Sequence, residues 1–466
     1  MQASNTARTP HPLLEGPVAP ALLRLALPVL VVLALNTLVG MAEIYFVGTL
    51  GTAAVAGVAL VFPLFMLMTM MSNGGFGGGV ASAVARALGA GRRAEAERLA
   101  FQALLLAGAL GALFSIGFAA GGRWILAAMG GVDEALGFAL EYGDWVFAGA
   151  IPAWVASLLA AALRGAGNVR VPAIVTATGS LIALVASPAL ILGWAGLPAL
   201  GVTGAGLAVF GLNIGMAFAL AAYMRRPGAT LRLGASLPER RLFADILRVG
   251  FPSALGTIVS NLSVIVATAL AGRFGAAAIA GYGLASRLDY LAVPLLFAIG
   301  TATVTLVGTA IGAGRAERAR AAATTAAWIS TTSLAAIGGL AAVAPGVWMR
   351  LFSNDAEVLA VGAAYLRHVG PAYAFFGLGM SLYFASQGTG RVLWPLAAGL
   401  VRLGVLAAGG ALWIGVLGGG LAGFFHIVAL GYVAFGALTL FAFATGRGWP
   451  ARPSTVPQGE ARAASV

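Results

Sequence analysis

Val47-Gly48-Thr49-Leu50-Gly51-Thr52-Ala53-Ala54-Val55-Ala56-Gly57 has a second copy in the chain, Ala271-Gly272-Arg273-Phe274-Gly275-Ala276-Ala277-Ala278-Ile279-Ala280-Gly281, displaced by 224 positions and aligned glycine on glycine. Moving outward, Pro28 falls on Pro252 at the same displacement. At a displacement of 223, Gly89-Ala90-Gly91-Arg92 falls on Gly312-Ala313-Gly314-Arg315, and Gly165, Gly167 and Pro172 fall on Gly388, Gly390 and Pro395. The second half of the chain is a copy of the first. Duplication within an intensely apolar chain is the pattern of membrane transporters, whose substrate path lies between the repeats.

Composition sets the solvent. Of 466 residues, 60% are hydrophobic and 9% are charged, against roughly 25% charged in an average soluble domain. The 67 glycines are scattered through apolar stretches, where small residues let helices approach closely in lipid. Cysteine is absent, so no disulfide or thiol chemistry is available. All 27 basic residues are arginines, and they give a net charge of +12. They fall in separated clusters with no basic stripe interleaved with aromatics, which is a topological pattern and argues against nucleic acid as a partner.

Apolar runs long enough for a hydrocarbon core of ~30 Å, about 20 residues each, lie at 22–48, 54–85, 99–120, 137–163, 171–194 and 202–224 in the first half. The second half has them at 246–271, 277–310, 321–344, 358–385, 393–416 and 420–445. The expected fold is an all-α integral membrane protein of twelve transmembrane helices in two six-helix repeats. With an even number of helices in each repeat, the pseudo-twofold axis runs along the membrane normal.

Arginines orient the chain. Arg86, Arg92, Arg93 and Arg98, then Arg164 and Arg170, Arg225 to Arg241, Arg315 to Arg320, Arg391, and Arg447, Arg452 and Arg462 share one set of connections. The opposite connections hold little beyond Arg123 and Arg350, beside Asp133, Glu134, Asp355 and Glu357. The positive-inside rule places the first set, and both termini, in the cytoplasm. The expected division is a cytoplasmic tail 1–20, an N-lobe 21–224, a cytoplasmic linker 225–245, a C-lobe 246–445 and a cytoplasmic tail 446–466. The stretch 1–20 carries four prolines and no compact apolar core before a small-residue cleavage site, so the first spanning helix is expected to act as the uncleaved insertion signal.

Charge inside a span costs at least ~2.5 to 3.5 kcal/mol and needs a compensating reason. The clearest case is Glu43, fifteen residues beyond Pro28, or about 22 Å at ~1.5 Å per residue. A carboxyl group at that depth loses hydration when ionised, which suits it to taking up and releasing a proton; the alternative is a carboxylate reaching to the interface or satisfying a structural hydrogen bond. The eighth predicted helix adds Arg287 and Asp289, where the first repeat has Pro63 and Phe65. Residues two apart do not share a helix face, so separate partners are expected, Arg402 being one for Asp289. Glu141 and Asp144 are expected to open the fourth helix, beside its N-terminal dipole. His426 reads as an isolated packing histidine.

The second predicted helix carries Phe62, Phe65, Met66, Met68, Met70 and Met71, followed by Ser72-Asn73-Gly74-Gly75-Phe76-Gly77-Gly78-Gly79. Thioethers and aromatic faces suit a pocket for greasy cations, although core packing produces the same stripe. The glycine run marks a deformable or closely packed segment. No HExxH, no phosphate-cradling GxxxxGK and no metal-ligand cluster occurs. Energy for transport would therefore come from an ion gradient or a partner.

Leu27-Pro28 with the stretch Glu43-Ile44-Tyr45-Phe46-Val47-Gly48-Thr49-Leu50-Gly51, together with Leu163-Arg164-Gly165-Ala166-Gly167-Asn168, Ala285-Ser286-Arg287-Leu288-Asp289 and Gly312-Ala313-Gly314-Arg315, resembles the multidrug and toxic compound extrusion (MATE) family, particularly its DinF-like branch. The resemblance runs over about residues 20 to 445. It implies two six-helix lobes around a V-shaped cavity and export of amphipathic, often cationic compounds in exchange for H⁺ or Na⁺. The family's first helix usually carries aspartate where Glu43 stands. The acids of the NorM-like branch in helices 7 and 10 have no match around Ser260-Asn261 or Ser381 to Gln387.

These readings converge on a proton-coupled multidrug antiporter of the bacterial inner membrane, not an enzyme, needing no metal and no cofactor beyond the coupling ion. Glu43 and Asp289 are the coupling candidates; Asn36, Tyr45, Phe62, Met66, Asn73, Arg287 and Gln387 are the cavity candidates. A monomer is the simplest expectation, with the bilayer and small amphipathic molecules as partners. A flippase for lipid-linked precursors would want arginines lining the cavity, where only Arg287 and Arg402 are available; a channel would want a continuous polar pore.

Overall fold

The computed structural model describes residues 12–447 and 449, and among these no strand forms. Most of the expected tail 1–20, including Pro10, and most of 446–466, including Arg452 and Arg462, lie outside the described residues. The first repeat gives α1 Val18–Gly48, α2 Thr52–Gly89, α3 Arg93–Ala128, α4 as Asp133–Ala148 plus Ala150–Gly165, α5 Arg170–Leu192 and α6 Gly201–Arg225. The second gives α7 Arg240–Ala271, α8 Ala276–Gly312, α9 Ala316–Val343, α10 as Ala356–Val369 plus Tyr373–Thr389, α11 Leu393–Gly415 and α12 Leu421–Ala444. Among the described residues ten helices are long and apolar enough to cross a membrane, and the pair making α4 brings this to 11. The two pieces of α10 stand at the repeat-equivalent place of α4 and complete the twelve.

Several rods are less regular than their apolar runs suggest. The two pieces of α4 meet at 47°, and α10 is interrupted by a 3-10 turn at Gly370–Ala372, where Pro371 has no N–H for the helical ladder. In α2 the glycine-rich stretch forms a π-turn over Met71–Phe76, and α11 carries another at Val405–Gly409; such bulges let a helix change direction without ending. The connection expected over 225–245 is already helical from Arg240. Its remainder is tied down by Gln102, whose Nε2 donates to the Leu237 carbonyl at 2.9 Å.

Each repeat has its own apolar core, the first including Trp154, Leu158 and Leu163, the second Tyr365, Tyr373, Phe424 and Phe425. A third cluster joins Leu22 and Leu25 of α1 to Leu306 of α8 and Ala322 of α9. The start of α1 therefore packs on the second repeat. It is fixed there by Arg318, which donates to the carbonyls of Leu13, Glu15 and Gly16 at 3.0, 2.8 and 3.0 Å, and by Arg315 on the Leu14 carbonyl at 2.8 Å.

The halves meet at the arginine-rich end. Ser82 of α2 donates to the Gln387 carbonyl of α10 and accepts from Arg86, whose Nη2 lies 2.7 Å from Asp245 of α7. Gln387 Nε2 donates to the Gly74 carbonyl at 3.1 Å, and Thr305 donates to the Arg164 carbonyl at 3.0 Å. Among the described residues, and apart from Asn261 against the Met70 sulfur, the hydrogen bonds joining the repeats run from Gly74 towards this end. Close backbone approach makes this contact: a Cβ on Gly89 would run into the Thr309 carbonyl oxygen, and one on Gly312 into that of Arg86. In lipid, where burial of apolar surface drives little, such small-residue packing is what holds helices together.

Candidate functional site

Asn36 and Glu43 are seven residues apart, two turns of α1, and so share one face. That face meets α5 and α6. Ser180 of α5 donates to Asn36 Oδ1 at 2.6 Å, and Tyr142 of α4, itself buried, donates to Glu43 Oε1 at 3.1 Å. Glu43 borders a small cavity of about 40 Å³ with Val39, Ala42 and Phe46 of α1, Leu184, Ser187 and Pro188 of α5, and Leu212 of α6.

Two further oxygens belong to this place. Ser187 Oγ is buried without a hydrogen-bond partner, and Pro188 sits inside α5 and has no N–H to give the carbonyl four residues back, that of Leu184. The residues that bear this carboxylate, this hydroxyl and this spare carbonyl line a mostly apolar volume comparable to the ~30 Å³ share of one water. Such a set suits a proton or a small hard cation, whose ligands are oxygens. It is far too small for a drug-sized molecule.

Asp289 lies in the other repeat, just past the break between Ala276–Ser286 and Asp289–Gly312. Tyr373 of α10 donates to its Oδ1 at 2.7 Å. The direct partnership expected with Arg402 does not form. Arg402 lies instead over the Tyr432 ring at 4.4 Å and the Phe376 ring at 5.4 Å, attracting Asp289 across the tyrosines without an ion pair. Long-stemmed guanidinium groups favour such aromatic faces in low dielectric. Arg287, as expected from its spacing, points elsewhere and lies 5.9 Å from the Phe352 ring centre.

The other candidates do not gather around either acid. Tyr45 is 71% exposed and stands about half a turn away from Glu43 on α1. Phe62 is exposed and Met66 half-buried on α2, and Asn73 donates to the Thr69 carbonyl of its own helix at 3.2 Å. Gln387 is fully buried between the halves, its Nε2 also donating to Ser253 at 3.0 Å while Oε1 has no partner. Glu141 does not open its helix, because α4 begins at Asp133 with Asp133 and Glu134 in the first turn; its carboxylate accepts from Thr203 of α6. His426 is not isolated, since its ring stands edge-on to that of His368 with centres 4.5 Å apart. Tyr142, Tyr373, Ser187 and His368 were not singled out by sequence reasoning; hydroxyls and imidazoles give no signal until a partner distant in the chain is known.

Comparison with known proteins bears on the whole architecture. The MatE family model matches residues 28–189 and again 252–413, once on each repeat. The chain is 27% identical over 376 residues to a probable multidrug resistance protein NorM of Thermotoga maritima, covering 80% of this chain and 81% of that one. It is 27% identical over 413 residues to an FAD transporter of Shewanella oneidensis, covering 85% and 88%. Among solved structures, a MOP superfamily transporter from Pyrococcus furiosus superimposes with a TM-score of 0.85 at 24% identity, over 94% of this chain and 97% of that one. An outward-facing multidrug resistance MATE family transporter gives 0.83 at 24% identity, over 94% and 97%. With both repeats matched at their proper displacement and the twelve-helix frame shared, the chain belongs to the MatE family of multi-pass membrane transporters.

Proposed function

We propose that the protein is a secondary active exporter of amphipathic, often cationic small molecules, driven by exchange against protons at Glu43. The observation that carries the reading is the small pocket beside that carboxylate, which Tyr142 holds at 3.1 Å inside the first repeat and which is too small for a drug-sized molecule. A drug-sized cargo would therefore bind elsewhere than in this pocket. The names of the Thermotoga maritima relative and of the multidrug export protein MepA of Staphylococcus aureus, 24% identical over 277 residues, support drugs as cargo.

Arginine-rich loops on the cytoplasmic side, with both termini there, follow the positive-inside rule. Because the halves touch at that end, the conformation is read as open to the outside. Protonation of Glu43 removes the charge that Tyr142 holds, frees α1 to bend at Pro28 and lowers the affinity for cargo, so substrate leaves as the proton enters. Asp289 serves as a second acid in the other repeat. Sodium is the competing ion, since the oxygen set at Glu43 also suits it. The protein works as a monomer, with no bound cofactor.

Purified protein should release protons when a cationic dye is added in the absence of sodium, and Glu43→Gln should abolish this release. Release that requires sodium would transfer the coupling role to that ion. FAD belongs in the same assay as an anionic cargo, because the Shewanella oneidensis relative bears its name.

A further inference from the structure

A second, larger cavity of about 560 Å³ opens at the arginine-rich end, where α2 and the turn after it face α7. Its volume is that of a small-molecule site, ~300 to 1,000 Å³. Arg86, Arg92 and Glu95 line it from the first repeat, and Arg241, Asp245 and Arg248 from the second.

The charges in this cavity do not balance. Asp245 is taken by Arg86 at 2.7 Å, and Glu95 Oε2 is shared between Arg92 at 2.8 Å and Arg241 at 2.9 Å. Four guanidinium groups thus face two carboxylates, and Arg248 has neither ion pair nor hydrogen bond among the described residues. Arg86, whose side chain is only 15% exposed, is repelled by both Arg248 and Arg92. Arg92, Arg241 and Arg248 are exposed, so an anion can reach them and relieve their mutual repulsion.

Guanidinium groups present paired N–H donors in a plane that matches the oxygens of phosphate. Basic pockets between helices at the headgroup level of a membrane are suited to phosphate-bearing lipids. We propose that this cavity binds a phosphate group, carried by an anionic phospholipid or by a soluble phosphoester, through Arg92, Arg241 and Arg248. Glu95 and Asp245 hold three of the arginines in place, and Arg248 supplies the uncompensated charge. Because the ligand touches both repeats, it fastens them together in the arrangement seen here. The proposal concerns equilibrium binding and does not depend on what the protein exports.

The test uses the full chain in nanodiscs. In one arm the lipid is phosphatidylcholine alone and inorganic phosphate is titrated at ionic strength held constant with chloride; in the other, phosphatidylglycerol replaces part of the lipid and no phosphate is added. A ligand that binds only the folded state raises the unfolding temperature in a saturable way. Arg248→Gln should melt no lower than the parent without either anion, because Arg248 makes no bond within the protein and only repels Arg86. It should need about tenfold more anion for the same rise, the factor expected for one charge-assisted hydrogen bond. A rise in the phosphate arm identifies a soluble ligand, and a rise confined to the phosphatidylglycerol arm identifies a lipid headgroup; either supports the site. No saturable rise in both arms, or an equal rise in Arg248→Gln, overturns it.

Discussion

Gly89 of α2 rests on the Thr309 carbonyl of α8, while Gly312, its mate in the second repeat, rests on the Arg86 carbonyl of α2. The two contacts are one contact seen twice, through the internal twofold, and they lie where the halves close. Replacing either glycine by valine puts a branched side chain against backbone, an overpacking worth about 1 to 3 kcal/mol. Gly312→Val should therefore push the halves apart at this end. The chain has no native cysteine, so cysteines introduced on the α2 and α8 loops would report their separation without background, and an unchanged crosslinking yield would contradict the expectation.

At the Glu43 pocket, Tyr142→Phe removes the hydroxyl that donates to the carboxylate but keeps the ring in the core. A hydrogen bond to a charged group contributes about 1.5 to 3 kcal/mol. Dye-driven proton release should persist with its pH dependence displaced, whereas Glu43→Gln should lose release altogether while still inserting and melting as a folded protein. Full proton release by Glu43→Gln would remove this residue from the exchange.

The Asp289–Tyr373 bond separates two substitutions. Asp289→Asn retains an oxygen that can accept from Tyr373, so the loss of stability should be small. Asp289→Ala removes the acceptor of this bond and leaves the buried phenol only the neighbouring Tyr365 hydroxyl, at a cost of up to about 1 to 3 kcal/mol. Thermal unfolding of the two variants should differ accordingly, and equal melting would mean that the tyrosine finds another acceptor.

Arg86 and Asp245 join α2 to α7 with side-chain exposures of 15% and 38%. Removing the acid in Asp245→Asn leaves a largely buried guanidinium without its counter-charge. The expected cost lies between the roughly 1 kcal/mol of an exposed pair and the roughly 3 kcal/mol of a buried one. Exchanging the two residues should restore part of it. A double-mutant cycle with no coupling energy would show that the pair does not hold the halves.

Much of this architecture is legible in the chain because lipid simplifies the code. Spans appear as apolar runs, and the duplication appears as glycines and prolines at a constant displacement. Breaks within a span are harder to see. Gly149 between the pieces of α4 looks like any packing glycine; and because Asp133 and Glu134 read as an outer connection, Glu141 reads as a first-turn residue although the helix begins at Asp133. Glu43 stands out because a carboxylate in a span is rare; its donor Tyr142, 99 residues away, does not. Arg402 shows the reverse limit, since its charge suggests an acid as partner while its geometry selects aromatic faces.

The first helix is a lever shared by both repeats. Its starting end is clamped to the second repeat through four backbone carbonyls held by Arg315 and Arg318, whereas its far end carries Glu43 into the packing of the first. A change of charge at the acid would therefore act on a helix whose other end, before the bend at Pro28, is fixed in the opposite body. Ion binding at Glu43, as proposed, would reach the second repeat along this one helix, with no relay through intervening loops.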